Sequence, residues 1–463
     1  MQLDENKNYI QLKKKKREFL HFDIIAATQK ADRSKKFIFS FHDLTLDISR
    51  QMIPTNAFKE FLSIGELQDI KSSIKKLFLG TFYNSSEKTN VTHFTERNPE
   101  NFSRTRTERY LSFEKLLKTM GIKRLINVGI GGSDLGPRMV HQALKTEKDL
   151  PELVNISNVD PASFKDAISG VSPREVFFIF NSKSFFTEEM VANMTIIKEW
   201  MRINKLDFNE HALAVTSFPE KAISKGFKRE NIFAVDKGVG GRFSLWSDFG
   251  LGLVGSLGTK VYRELLLGGH SMDAHFLTEE LNNNLPYVLG LTRIWNRNIL
   301  DLPNLGIVPY GESLKFFHTW VQQVEMESNG KNIDTQGIRL RSPASPLIFG
   351  GIGTDAQHSF FQAFHQGIDT VPIEILVPIK SNISSNLPDL INKNHSRLVL
   401  NALAQAESLM LGNHDSKDRF RFSKGGRPST LISWEMVDAS SLGRLLSLYE
   451  NASIVSGLIW GIN

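Results

Sequence analysis

LINVGI, residues 125–130, decides how this chain is read. It is a short, mostly apolar run that ends in Gly129-Ile130 and passes at once into GGSDLGP (131–137). A run so short and so apolar reads as a strand buried on both faces. Four more follow: ELVNISNV (152–159), EVFFIF (175–180), ALAVTS (212–217) and NIFAVD (231–236). Longer helical segments separate most of them, and that alternation predicts βαβ units in a parallel sheet. A fainter second series comprises LGIVPYG (305–311), SPLIFGG (345–351) and VPIEILVPI (371–379). The expected fold is therefore α/β, with two tandem three-layer α/β/α sandwiches and mostly parallel sheets. The helix-rich stretch 259–300 links them. A helical region over residues 1–90 precedes the first sandwich (91–258). The second (259–430) ends in the polar, Gly/Pro-punctuated loop NHDSKDRFRFSKGGRPST (413–430), and closing helices occupy 431–463.

Composition narrows the class. A chain of 463 residues suits two domains of ordinary size. With 41% hydrophobic and 23% charged residues it has the mix of a globular protein. The absence of cysteine excludes disulfides, a thiol nucleophile and thiolate metal sites. No apolar run reaches the ~18 residues of a membrane helix. The charged N-terminus has no following apolar segment, so it does not read as a secretory signal. The basic run Lys13 to Arg17 has no interleaved aromatic residues and reads as a solvated helix face rather than a nucleic-acid or membrane contact. A net charge of +6 suits anionic small substrates.

Five stretches carry chemical content. In VGIGGSDLGP (128–137) the glycines let backbone amides approach a ligand, and the Ser133–Asp134 pair is placed to cap a helix; a plain tight turn is the alternative. Asp134 stands where a dinucleotide fingerprint needs glycine, which excludes that reading. FNSKSFFTEE (180–189) sets the hydroxyls of Ser182, Ser184 and Thr187 beside Lys183 at a helix start, either as a phosphate cradle or as a capping cluster. VGGRFSLWS (239–247) presents Arg242 after two glycines, where it can face a developing oxyanion or simply solvent. MESNGK (326–331) ends a helix beginning near Leu314. Glu327 then lies in the last turn, where the helix dipole disfavours a carboxylate, as suits a general base; an ordinary surface glutamate is the other reading. GTDAQHSFFQAFHQG (353–367) places His358 and His365 on one aromatic-rich helix, at a spacing that is not a usual metal pattern.

In this order the five stretches resemble the phosphoglucose isomerase family, built from two sugar-isomerase (SIS) domains, over roughly Phe41 to Asn463. MESNGK and VGGRFSLWS are the most specific of them. The resemblance implies interconversion of glucose 6-phosphate and fructose 6-phosphate through a cis-enediol, with no metal or organic cofactor. It implies that Glu327 is the base, Arg242 the cation at the enediolate, and His358 the ring-opening histidine supplied by the neighbouring subunit, with Glu189 as its carboxylate partner. Ser182, Lys183, Ser184 and Thr187 match the phosphate loop, with Ser133 nearby, and Gly132 and Gln323 match further substrate contacts. A homodimer in the cytoplasm, without nucleic-acid or membrane partners, follows from the same resemblance.

The chain departs from the family pattern at Ser184, Phe186, Asp355 and Ala356, and GGI (350–352) lacks a usual Glu-Pro. The apolar end LGRLLSLYENASIVSGLIWGIN should be buried. In the family such a segment leads into a Gln-Gly-Val-Glu-Leu-Gly-Lys motif, to which no residue here matches. Since a positioned acid–base group is worth ~10²–10⁴-fold in rate, the alternative expectation is a truncated relative that binds phosphosugar but turns it over poorly.

Overall fold

The computed structural model describes residues 2–102, 104–145, 150–383, 386–414 and 418–462. Residues 415–417 of the polar loop, and any continuation past Asn463, lie outside them. The chain forms two compact units, Met1–Lys76 with Ser271–Asn463, and Leu77–His270.

The first unit opens on short helices and then a hairpin, β1 (Ile38–Phe41) and β2 (Leu44–Asp47). These strands depart from the helical expectation for residues 1–90. Their signal is a period-two alternation across a His42–Asp43 turn, with Phe39, Leu44 and Leu46 buried. The second unit adds a small hairpin, β3 (Tyr83–Asn84) with β4 (Thr89–Asn90), and then five strands. These are β5 (Arg124–Val128), β6 (Glu152–Ile156), β7 (Val176–Asn181), β8 (Ala212–Thr216) and β9 (Ile232–Ala234). They form one sheet in the order β6-β5-β7-β8-β9, parallel throughout. Leu125 lies opposite Leu153 on one side and Phe177 on the other. All six residues of β7 are buried, as a central strand covered on both faces requires. Phe178 and Phe180 pack with Met190, Met194 and Ile197 of the helix Glu188–Ile203.

The chain returns to the first unit with β10 (Asn304–Pro309), β11 (Leu347–Gly350), β12 (Ile373–Pro378) and β13 (Ser429–Trp434). The second sheet runs β1-β2-β13-β12-β10-β11, parallel from β13 to β11 and antiparallel at the β2 edge. Where the sequence predicts helices from residue 431, STLISW instead forms β13, pairing Ile432 with Leu376 and with Leu46. The fold is thus the expected pair of α/β units, with two edge strands drawn from the N-terminal region.

The last helix, Ala439–Trp460, is buried along nearly its whole length. It packs closely on Leu285–Ile294 because Gly290 has no side chain; a Cβ there would lie 2.7 Å from the Ala452 carbonyl. The Trp460 indole donates to Asn298 Oδ1 at 2.8 Å, and the Ile462 amide to Gly457 O at 2.8 Å. The expectation of a buried end holds. Among the described residues no helix is long and apolar enough to cross a membrane.

Burial also sets an acid limit. His141, in the helix Leu135–Leu144, is held down to about 4, chiefly by burial and then by the Lys145 charge. The unfolded imidazole binds its proton near pH 6.5, so the unfolded chain takes up protons that the folded chain refuses. Stability is whole above about pH 6.5 and falls as the pH drops toward 4, by about 2 kcal/mol from this residue at pH 5. Urea unfolding at pH 7 and pH 5 should show a smaller loss in His141→Gln than in the parent, and equal losses would reject the assignment.

Candidate functional site

In open α/β sheets, ligands bind beyond the carboxyl ends of the strands. In the second unit, three loops meet there. A ladder of side-chain amides, buried at Asn127 and Asn181, joins them: Asn127 donates to Asn155 Oδ1 at 3.0 Å and to Ser133 O at 3.0 Å. Asn181 donates to Asn127 Oδ1 at 2.5 Å and to Phe249 O at 3.1 Å. The loop after β5 is thereby tied to the loop after β7 and to the segment that follows Arg242.

Gly132 shows how tight this junction is. A Cβ there would overlap the carbonyl of Gly241 and come within 2.5 Å of the Arg242 nitrogen. The glycine of the first motif is thus required by backbone packing against the third. Ser133 is buried beside it. Asp134 is the N-cap residue but makes no capping bond, contrary to the sequence expectation. Its carboxylate turns back to Arg138, at 2.7 Å, because the ion pair offers a charged donor that a cap does not.

The hydroxyl-rich loop bends through Phe185, whose φ of 51° is left-handed and whose ring is buried in the core. Ser182 Oγ accepts from the Phe185 amide at 3.1 Å and Ser184 Oγ from the Phe186 amide at 3.4 Å. Thr187 precedes the helix Glu188–Ile203 without a side-chain cap bond, and Glu189 is exposed in its first turn. Ser182 and Ser184 thus brace their own turn, and Lys183 is anchored through its carbonyl by Thr216 Oγ1 and the Ser217 amide. The Lys183 ammonium pairs with Glu87, from the turn between β3 and β4.

Arg242 sits near the start of a 3-10 segment, Gly241–Trp246, partly buried. The next side chain, Phe243, stacks on His93 with ring centroids 4.7 Å apart. His93 is buried with neither ring nitrogen hydrogen-bonded. Burial above all, then the charges of Arg97 and Arg242, drives its pKa well below the usual imidazole value, so it is neutral. Sequence reading missed His93 and the asparagine ladder, since nothing local marks them.

In the first unit, the helix Phe317–Gln322 opens into a π turn, Gln323–Glu327. Gln323 and Glu327 are its two ends. π turns are rare and concentrate at functional sites. Glu327 is exposed and Gln323 half-buried. Gly330 ends the run by donating to Met326 O at 2.8 Å; a Cβ there would overlap that oxygen. His358 and His365 do not share a helix. His358 caps the end of Gly353–Gln357, exposed, while His365 lies in Phe361–Gln366 and bonds Gln405 Oε1 at 2.9 Å. The break falls where the His358 and Ser359 amides turn to Asp355 and Ala356 oxygens. Tyr310 positions the first of these helices, accepting from Gln357 at 2.9 Å and packing on Gly353, where a Cβ would strike its ring. Among the described residues no three His, Asp or Glu side chains group as a metal site.

Residues 47–463 match the model of a family described as phosphoglucose isomerase. A glucose-6-phosphate isomerase of Chlorobium phaeobacteroides is 32% identical, covering 94% of this chain and 84% of its own length. One from Polaromonas naphthalenivorans is 34% identical, covering 96% and 88%. The crystal structure of a glucose-6-phosphate isomerase from Chlamydia trachomatis superposes with a TM-score of 0.89 at 27% identity, covering 100% of this chain and 93% of that one.

Proposed function

This chain belongs to the phosphoglucose isomerase family, and on that premise we propose that Glu327, Arg242, His358 and Glu189 carry its chemistry. It is an isomerase that interconverts glucose 6-phosphate and fructose 6-phosphate. The observation that supports the site reading best is Glu327, an exposed carboxylate closing a π turn whose other end is Gln323.

In this reading His358, with Glu189 as its carboxylate partner, moves the proton that opens the sugar ring. Glu327 takes the proton from C2 of the aldose as the C1 carbonyl oxygen gains charge, giving the cis-enediol. Arg242 opposes that charge. The C2 hydroxyl passes its proton to the C1 oxygen, and the same carboxyl returns the carbon-bound proton to C1 as the C2 oxygen becomes the ketone, so atoms and charge balance. Ser182, Lys183, Ser184 and Thr187 hold the phosphate, with Ser133 nearby, and Gly132 and Gln323 contact the sugar. His358 serves the neighbouring subunit, so the working unit is a homodimer, placed in the cytoplasm. A coupled assay on fructose 6-phosphate with the full chain tests the reading, and Glu327→Gln is its decisive variant.

The phosphate must compete with Glu87 for Lys183. Both side chains are partly exposed, and such pairs contribute about 0–1 kcal/mol. Glu87→Gln should therefore lower KM for fructose 6-phosphate by up to about fivefold, with kcat unchanged. A raised KM would show that Glu87 orients the lysine rather than competing for it.

A further inference from the structure

The π turn that carries Glu327 is held from behind. Glu325, at its centre, points the opposite way from Glu327 and is fully buried. Three side chains donate to its carboxylate: Arg293 Nη1 to Oε2 at 2.9 Å, Ser453 Oγ to Oε2 at 2.5 Å, and Asn329 Nδ2 to Oε1 at 2.8 Å. Asn329 also donates to the Ser453 carbonyl at 2.9 Å. Arg293 reaches on to Glu374 of β12 at 3.2 and 3.3 Å, and Tyr449 donates to the same carboxylate at 2.7 Å. Gly457 makes room for the arrangement, since a Cβ there would lie 2.6 Å from Asn329 Oδ1.

A π turn is less favourable than the α turn it replaces and persists where its surroundings over-determine it. Here a buried carboxylate fixes it, since releasing Glu325 would leave an uncompensated buried charge. Ser453 and Tyr449 belong to the last helix, and Arg293 to the helix beneath it. We infer that Ser453, Asn329 and Arg293 are positioning residues: through Glu325 the C-terminal helix sets the π turn, and with it the placement of Glu327 and Gln323. The inference rests on the reading of Glu327 as the base.

The test is a graded series at Ser453 in the full chain, assayed on fructose 6-phosphate. Ser453→Ala removes one donor to Glu325, and Ser453→Cys keeps the shape with a weaker donor. Expected is a kcat lowered at least tenfold in Ser453→Ala and about threefold in Ser453→Cys, with KM within twofold of the parent. Leu442→Ala, buried near the other end of the same helix, supplies the structural control. It should lower the melting temperature at least as much and leave kcat of the folded protein unchanged. A flat kcat series, or a kcat loss in Leu442→Ala matching that of Ser453→Ala, would overturn the inference. Should Ser453→Ala not fold, the Cys variant decides alone. Glu327→Gln in the same assay separates the two claims. If it kills turnover while the Ser453 series is flat, only this inference fails; if it retains turnover, the base assignment fails first.

Discussion

Glu327→Gln is expected to lower kcat by about 10²–10⁴-fold, equivalent to roughly 3–5 kcal/mol of barrier. The amide keeps the side-chain shape but cannot accept the C2 proton. Because Glu327 is exposed at the end of its helix, the change should leave the melting temperature within a degree or two. Phosphosugar affinity should stay within about threefold, since the residues proposed to hold the phosphate lie on other loops. Calorimetric binding of fructose 6-phosphate alongside the coupled assay gives both readouts. A variant that keeps more than a tenth of parental kcat would remove Glu327 from the mechanism.

Gly132→Ala should be nearly as damaging, for a different reason. The new methyl would meet the backbone of Gly241 and Arg242, which cannot swing aside as a flexible side chain can. The two loops must part by about an ångström, at a cost of about 1–3 kcal/mol of stability. A displacement of that size at a charge-stabilising group lowers the rate by about 10²-fold. Gly241→Ala is the internal control. A Cβ at 241 meets nothing within 4 Å, so that variant should keep its stability and most of its activity. If the two alanines behave alike, the packing argument is wrong.

The strands of the five-stranded sheet were legible because a strand covered on both faces has no polar face to confuse its pattern. β7, buried throughout, is the clearest case. β13 was less so, since it follows a polar loop and borders the antiparallel edge. The motif residues are proposals from the sequence because their chemistry is local: hydroxyls beside a lysine, an arginine after glycines, a glutamate shortly before Asn-Gly. Reading His358 and His365 as helix neighbours went astray at a break signalled only by how Gly353 and Gln357 pack on Tyr310.

What the sequence determined by itself was therefore the α/β class, the order along the chain of the strands of the five-stranded sheet, and the family. Tertiary structure alone decided why Gly132 must be glycine, since its constraint lies on a backbone more than a hundred residues away. It also decided that MESNGK begins inside a π turn, Gln323–Glu327, rather than in a regular α-helical turn. That choice depends on Glu325 finding Arg293 and Ser453, from helices distant in the chain. Local pattern records which face of a segment is apolar; it does not record which buried partner a polar group meets, and that pairing selects the geometry of the turn.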